Sequence, residues 1–476
     1  MGFWDALDPL LTALPEVKRP DRIPPLKQKL LWTVVVLFVF FVLGQIYPLG
    51  VDASRIVRFE RLDILLGSRM GTLITTGIGP IVLASIFLQL AVGAKLVNLD
   101  FTTPEGKKRF QGIQKLFAIV LSFFEAGIYV LSGYLPASTS GTLFGSLLFT
   151  QLAMVVQLAL ASVILLYLDE VVQKYGIGSG ISLFIAAGVC QSVFIGAFNL
   201  VPNASGVPSG LIPSAIYALA SGDVVNAVWG LMPIVFTILV FLVVVYIEGM
   251  KIELPLAYGR ARGLGARYPI KFMYVSNIPV ILASAVLLNV QLMGMFTAAP
   301  VAGNAGIKQG FLGTYQNNQP IDGFVYYITS LPSPLLITGG YPVYLQQIMQ
   351  PKEIIHVFVY GLALVFLCVV FGWFWIESTG MGAKDVAAQL NKAGLQIPGF
   401  RQDPRVTEII LERYIPIITI LGSIVVGLLA WFADITGALG TGTGILLTVG
   451  IIYRFYEDLA QQQLFEMYPV LNKIMR

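Results

Sequence analysis

Ten apolar stretches, each close to the ~20 residues that a helix needs to cross the hydrocarbon of a bilayer, limit what this chain can become. They run at residues 30–47, 72–93, 113–135, 146–168, 178–200, 228–247, 271–290, 354–376, 414–432 and 437–453. In lipid nothing but the chain itself can satisfy its backbone, and a helix does so within one segment. No ten-residue segments of alternating polarity point to a barrel. The expectation is an all-α polytopic membrane protein of ten transmembrane helices. Composition agrees: 12% charged residues against about 25% in soluble domains, with a mean hydropathy of +0.80, exclude both disorder and a water-facing fold of this size. Cys190 and Cys368 both lie in apolar runs and read as small buried hydrophobes, not as a disulfide framework.

Orientation follows from where the cations fall. With the amino terminus inside, the outer segments hold Arg55, Arg58, Arg61, Arg69, Lys308 and Lys352, and all other Lys and Arg among the 30 lie on the inner side. Cations concentrate on the cytoplasmic side, so both termini are expected there, in a multi-pass membrane protein. Residues 1–29 carry Lys18, Arg19, Arg22, Lys27 and Lys29 and lack the apolar core and cleavage site of a secretory signal. Within them Trp4, Leu7, Leu10, Leu11 and Leu14 fall at helical spacing, which predicts a short helix in the headgroup region.

The spans divide at the polar, Pro- and Gly-containing segment 201–227 into two sets of five, 30–200 and 228–453, with a cytoplasmic tail at 454–476. Five is odd, so the second set enters the membrane from the opposite side, the arrangement of inverted repeats with a path at their interface. The second span of each half carries a matching Gly/Pro or Asn/Pro element, Gly77-Ile78-Gly79-Pro80 and Ser276-Asn277-Ile278-Pro279, read as paired interruptions beside a cavity. Between Asp52 and Gly71 lies a segment too charged to span, yet apolar enough to pack, with Leu62, Ile64, Leu65 and Leu66 among its arginines. It reads as a small helix, either lying on the external surface or dropped back into the external face.

Ion-coupled carriers keep ionisable groups within their spans. Here only Glu125 sits well inside one; Asp169, Glu170, Glu248 and Glu377 fall at inner ends, within reach of water. Glu125 reads as a hydrogen-bonded structural residue. With His356 the sole histidine, no metal cluster is expected, and no cofactor. Gly176-Ile177-Gly178-Ser179-Gly180 and Gly440-Thr441-Gly442-Thr443-Gly444 lack the strand of a phosphate loop and the Gly-x-Ser-Gly order of a hydrolase. Both read as tight turns that open spans five and ten. An ion-coupled secondary transporter and an intramembrane hydrolase are therefore rivals that lack their chemistry, and no enzyme is expected. The inner loops holding Arg260, Arg262, Arg267 and Arg401, Arg405 need no partner beyond the lipid rule, but two basic loops on one face also suit an anionic surface such as ribosomal RNA.

Four runs carry a resemblance. Tyr268-Pro269-Ile270-Lys271-Phe272-Met273-Tyr274-Val275-Ser276-Asn277-Ile278-Pro279 and its continuation to Ala285, Gly77-Ile78-Gly79-Pro80 to Ser85, Tyr175-Gly176-Ile177-Gly178-Ser179-Gly180 to Ile185, and Gly437-Ala438-Leu439-Gly440 to Thr448 resemble the SecY family, the channel subunits of the Sec translocon. The Pro-Ile-Lys form and Arg413-Tyr414-Ile415-Pro416 are similar to its archaeal and eukaryotic branch.

The resemblance implies a protein-conducting channel of two halves around an hourglass pore, without covalent chemistry, passing secretory polypeptides across the membrane and releasing transmembrane segments to lipid. By motif position its pore ring would be Ile78, Val82, Ile181, Ile185, Ile281 and Leu447. A plug at residues 55–67 would include Arg55, Ile56, Leu62, Ile64, Leu65, Leu66 and Gly67. Ser85, Gln89 and Asn277 would face a lateral gate, and Arg260, Arg262, Arg267 and Arg401 would dock a ribosome. Implied partners are the small subunits SecE (gamma) and Sec-beta, the ribosome, signal sequences and nascent chains, and the lipid bilayer. The aliphatic ring suits this task, since an apolar constriction resists wetting and offers a passing chain no fixed partner.

Overall fold

The computed structural model describes residues 14–20, 24–52, 69, 71–93, 104–131, 135–138, 146–202, 206–258, 265–275, 277–301, 307–316, 319–331, 340–392, 395–396 and 404–467. Their elements are, in order, α1 Leu26–Leu43, α2 Gly79–Gly93, α3 Pro104–Leu131, α4 Leu147–Tyr175, α5 Gly180–Phe198, α6 Leu211–Ala220 and α7 Val224–Glu248, then β1 Lys251–Tyr258 and β2 Gly265–Lys271. Next come α8 Ile278–Thr297, β3 Ala299–Pro300, β4 Ile307–Gly310, β5 Gly313–Gln316, β6 Gln319–Asp322, α9 Phe324–Ile328, α10 Gly340–Ile348, α11 Pro351–Thr379, α12 Ala383–Lys392, β7 Leu395–Gln396, α13 Pro404–Ile435 and α14 Gly442–Met467. Each of the ten expected spans overlaps a helix, though the second and seventh begin ahead of theirs. Among the described residues eight helices are long and apolar enough to cross a bilayer: α1, α3, α4, α5, α7, α8, α11 and α13. The other two differ for visible reasons. α2 is described over 15 residues and starts late, since the chain before it runs in tight turns, and α14 becomes charged beyond Arg454.

The chain falls into two compact units, residues 1–191 with 451–476, and residues 192–450. In the first, α3 and α4 meet over Ala126, Val130, Met154, Leu158 and Ala159. The alanines let the backbones approach, which is how helices associate where lipid removes the hydrophobic drive. Phe40 of α1 stacks on Phe184 of α5 at 4.9 Å. An extended strap, residues 15–18, is held by Lys115 of α3 and by the last turn of α4. Lys115 Nζ donates to Pro15 O (2.8 Å) and Glu170 Oε2 (2.9 Å), Lys174 Nζ donates to Glu16 Oε1 (2.9 Å), Glu170 Oε1 (2.9 Å) and Val17 O, and Tyr175 Oη donates to Lys18 O (2.9 Å). The Lys174 ammonium holds the Glu16 carboxyl below its ordinary value.

In the second unit Val240 and Val244 of α7, Val280 and Ala283 of α8, Leu364 and Cys368 of α11, Val426, Ala430 and Ala433 of α13, and Leu446 and Val449 of α14 share one core. The loops add strands that hydropathy did not reveal. β1 pairs antiparallel with both β2 and β7, so the 251–271 loop is a hairpin joined to the loop after α12. β3 to β6 form a four-stranded meander between α8 and α9.

Candidate functional site

Where the paired proline elements were expected to interrupt helices, they begin them. Pro80 is the second residue of α2 and Pro279 the second of α8, in the first turn, where the missing donor breaks no intrahelical bond. Ahead of α2 the backbone descends through successive i→i+3 bonds, Thr72 N to Arg69 O, Thr75 N to Thr72 O and Gly77 N to Ile74 O. Gly77 takes φ +54°, in the left-handed region that suits glycine. Irregular backbone at membrane depth must be enclosed by protein. It is: Thr72, Ile74, Thr75, Thr76 and Ile78 are all buried, Thr76 Oγ1 meets Ser162 Oγ of α4, and Ser162 Oγ donates to Gly77 O at 3.3 Å.

The start of α5 is held differently. Asp169, expected from sequence to reach water, is buried near the end of α4. Its Oδ1 accepts from Ile181 N (3.0 Å) and Ser179 Oγ (3.4 Å), and its Oδ2 from Gln173 Nε2 (2.8 Å). A carboxylate from one helix thus caps the next. Gly178, at φ +68°, turns the chain into α5, and Gly180 lets Asp169 approach so closely that a Cβ there would lie 2.6 Å from its Cα.

The same device recurs in the second unit. Asp434, buried in α13, accepts from Gly442 N at 2.9 Å through Oδ1 and from Tyr360 Oη at 2.7 Å through Oδ2, while Thr441 Oγ1 accepts from Gly444 N at 3.2 Å. Both Gly-rich runs are therefore turns opening the fifth and tenth spans, as their sequence indicates. Sequence reasoning placed Asp169 within reach of water and passed over Asp434; the structure shows both as helix caps. The signal available was an aspartate a few residues ahead of each glycine run.

A third start is pinned by Asn277. Its Nδ2 donates to Leu446 O of α14 at 2.7 Å, and a Cβ on Gly450 would lie 2.3 Å from that nitrogen and 2.8 Å from Glu248 Oε1. Glu248, also expected within reach of water, is buried at this junction of α7, α8 and α14. Asn277 thus fastens the helix carrying Ile281 to the one carrying Leu447.

The six expected ring residues share a position as well as a chemistry. Ile78 immediately precedes α2 and Val82 lies in its first turn, with Val82 N donating to Ile78 O (3.0 Å). Ile181 and Ile185 occupy the first two turns of α5, Ile281 the first turn of α8 and Leu447 the second of α14. Ile78, Ile185 and Leu447 are buried, and Val82, Ile181 and Ile281 half-buried. Every one stands at a helix start held by tertiary hydrogen bonds, which keeps short apolar side chains at fixed depths.

Ser85 is half-buried on α2, three residues past Val82. The side chains of Gln89 and Arg267 lie outside the described residues, as do Arg260, Arg262, Arg401 and the whole of segment 55–67 with Arg55, Ile56, Leu62, Ile64, Leu65, Leu66 and Gly67. Glu125 accepts from Tyr129 Oη at 3.0 Å. His356 is buried, its Nε2 2.7 Å from Thr329 O and its Nδ1 3.2 Å from Glu353 Oε2. Among the described residues no group of acids, cysteines and histidine could hold a metal.

Similarity to known proteins bears on this arrangement. The sequence pattern of the SecY family matches residues 72–456. A protein translocase subunit SecY of Methanothermobacter thermautotrophicus is 43% identical over 99% of this chain and 98% of its own. A solved protein-conducting channel is 41% identical, covering 97% of this chain and 98% of that one at a TM-score of 0.78. Sec61 in a canine ribosome–channel complex is likewise 41% identical at a TM-score of 0.75, with the same coverage.

Proposed function

Since the chain belongs to the SecY family, we propose a division of labour among its residues. The chain is the protein-conducting channel subunit of a translocase, an integral multi-pass membrane protein. Its relatives act on polypeptide, which sets aside the ion-coupled transporter. Ile78, Val82, Ile181, Ile185, Ile281 and Leu447 form the apolar constriction, and conduction through it involves no bond making or breaking. The observation that carries this reading is the shared placement of these six aliphatics at pinned helix starts. A ring that seals against ions while yielding to a chain needs side chains held at one depth on backbones that do not slide.

The remaining roles rest on sequence position. Residues 55–67 serve as the plug of the idle channel. Ser85 and Gln89 on one side and Asn277 on the other flank a lateral gate that releases transmembrane segments to lipid. Arg260, Arg262, Arg267 and Arg401 dock a ribosome through phosphate contacts; the pairing of β1 with β7, which joins the two loops concerned, supports a common docking face. The chain works with SecE and Sec-beta in the plasma membrane, its two five-span halves at 30–200 and 228–453 and both termini cytoplasmic.

The test is electrical. Replacing the ring residues together by asparagine, in protein reconstituted into planar bilayers, is expected to raise resting ion conductance at least severalfold, because polar side chains let water wet the constriction. Unchanged conductance in a variant that still folds would remove the ring.

A further inference from the structure

The sheet between α8 and α9 ends in an unusual turn. The chain leaves α8 at Ala298, and β4, antiparallel to β3, brings it back: a Cβ on Gly310 would lie 3.1 Å from Ala298 Cα. The next two residues, Phe311 and Leu312, form the tip before Gly313 opens β5. The Phe311 side chain is 100% exposed. Water-facing two-residue turns favour Asn-Gly or Asp-Gly; this one presents two apolar side chains between glycines.

A second aromatic stands beside the tip. Val325 N donates to Leu312 O at 3.1 Å, and a Cβ on Gly323 would lie 2.5 Å from Gly313 Cα. Phe324, between Gly323 and Val325, is therefore next to the turn, and it is 62% exposed. The tip is not free to wander, because Tyr315, wholly buried, fills the notch over Gly294 near the end of α8. α8 is itself long and apolar enough to span, and it carries exposed Val286 and Met293. With α8 as a span, its last turn lies at a bilayer boundary, which puts two exposed phenylalanines near that boundary, beyond a helix that keeps exposed apolar side chains among the described residues.

We infer that the Phe311 tip, with Phe324 beside it, is a lipid anchor: it enters the headgroup–acyl boundary of the leaflet at the C-terminal end of α8 and ties the 299–322 sheet to the bilayer. The chemistry is that of interfacial aromatic anchoring, in which an apolar body leaves water without crossing the membrane. It requires only that α8 spans.

Spin labels test it. In the full chain, with Cys190 and Cys368 replaced by alanine, single cysteines are placed at Phe311, Phe324 and Gln316, the last an exposed residue at the end of β5 remote from the tip. Each labelled protein is reconstituted into phosphatidylcholine–phosphatidylglycerol vesicles, and collisions with oxygen and with a water-soluble nickel chelate are compared. Labels at 311 and 324 are expected to collide preferentially with oxygen, and the label at 316 with nickel. Nickel preference at 311 equal to that at 316 would put the tip in water, and low collision rates with both quenchers would put it against protein; either result overturns the anchor.

Discussion

Removing the aspartate cap of α5 tests whether buried acids position the channel's helix starts. In Asp169→Ala, α5 loses its cap, worth about 0.5–2 kcal/mol, and a negative group at its N-terminus, worth about 0.3–1 kcal/mol. The Gln173 amide also loses an acceptor inside protein, at about 1–3 kcal/mol. The three effects overlap in one side chain, so a loss of about 3–4 kcal/mol is expected. Asp169→Asn keeps the shape and one accepting oxygen and is expected to lose about 1–2 kcal/mol by the same reasoning. For a unit of this size a kilocalorie moves the melting point by about 2–4 °C. In detergent, thermal unfolding monitored by intrinsic fluorescence is then expected to fall by about 10 °C for the alanine variant and about 4 °C for the asparagine variant. An alanine variant melting within a degree or two of the parent would refute the capping argument. So would an asparagine variant as damaged as alanine, since that would assign the effect to charge alone.

Two further outcomes rest on close contacts elsewhere in the chain. Gly450→Ala places a methyl group against Asn277 Nδ2 and Glu248 Oε1, so overpacking of about 1–3 kcal/mol is expected; trimming Asn277 to alanine in the same protein should recover part of it, and strictly additive melting shifts would contradict the shared contact. The strap should respond to acid. The folded carboxyl of Glu16 lies below its ordinary value of 4.5, so its contribution is present above that pH and is lost as pH falls through the folded value. A spin label at Leu14 should therefore stay restrained at neutral pH and loosen as acid carries the pH below the ordinary carboxyl value and through the lower folded one, while Glu16→Gln should be loose throughout. A label equally restrained in both proteins at every pH would show that Lys115 and Tyr175 hold the strap without it.

Much of this architecture could be read from hydropathy, because lipid permits few alternatives to a helix of about 20 apolar residues. The start of the seventh span could not. Phe272 to Val275 are as apolar as the helix beyond them, and only the structure shows them as turns after β2, with Pro279 opening the helix instead of bending it. The strands at 251–258 and 265–271 were hidden because β1 and β2 are defined by pairing with each other and not by any run long enough to register. Asp169 and Glu248 misled for a related reason. A charge at the end of an apolar stretch looks like a boundary with water, but burial is decided by neighbours on other helices, Ser179 and Ile181 for one, Asn277 and Gly450 for the other. The proposed ring rests on resemblance alone at the level of sequence, since nothing in an isolated isoleucine distinguishes a helix start from a lipid-facing turn.

Site-specific photo-crosslinking during transport puts the channel claim to its most direct trial. A photoreactive residue is introduced singly at Ile185, at Ile281 and, as a lipid-facing control, at Leu362, which is 75% exposed on α11. A secretory polypeptide is then stalled during passage. Adducts from Ile185 and Ile281 and none from Leu362 are expected; adducts from Leu362 alone, or from no position while transport proceeds, would contradict a path along these helix starts.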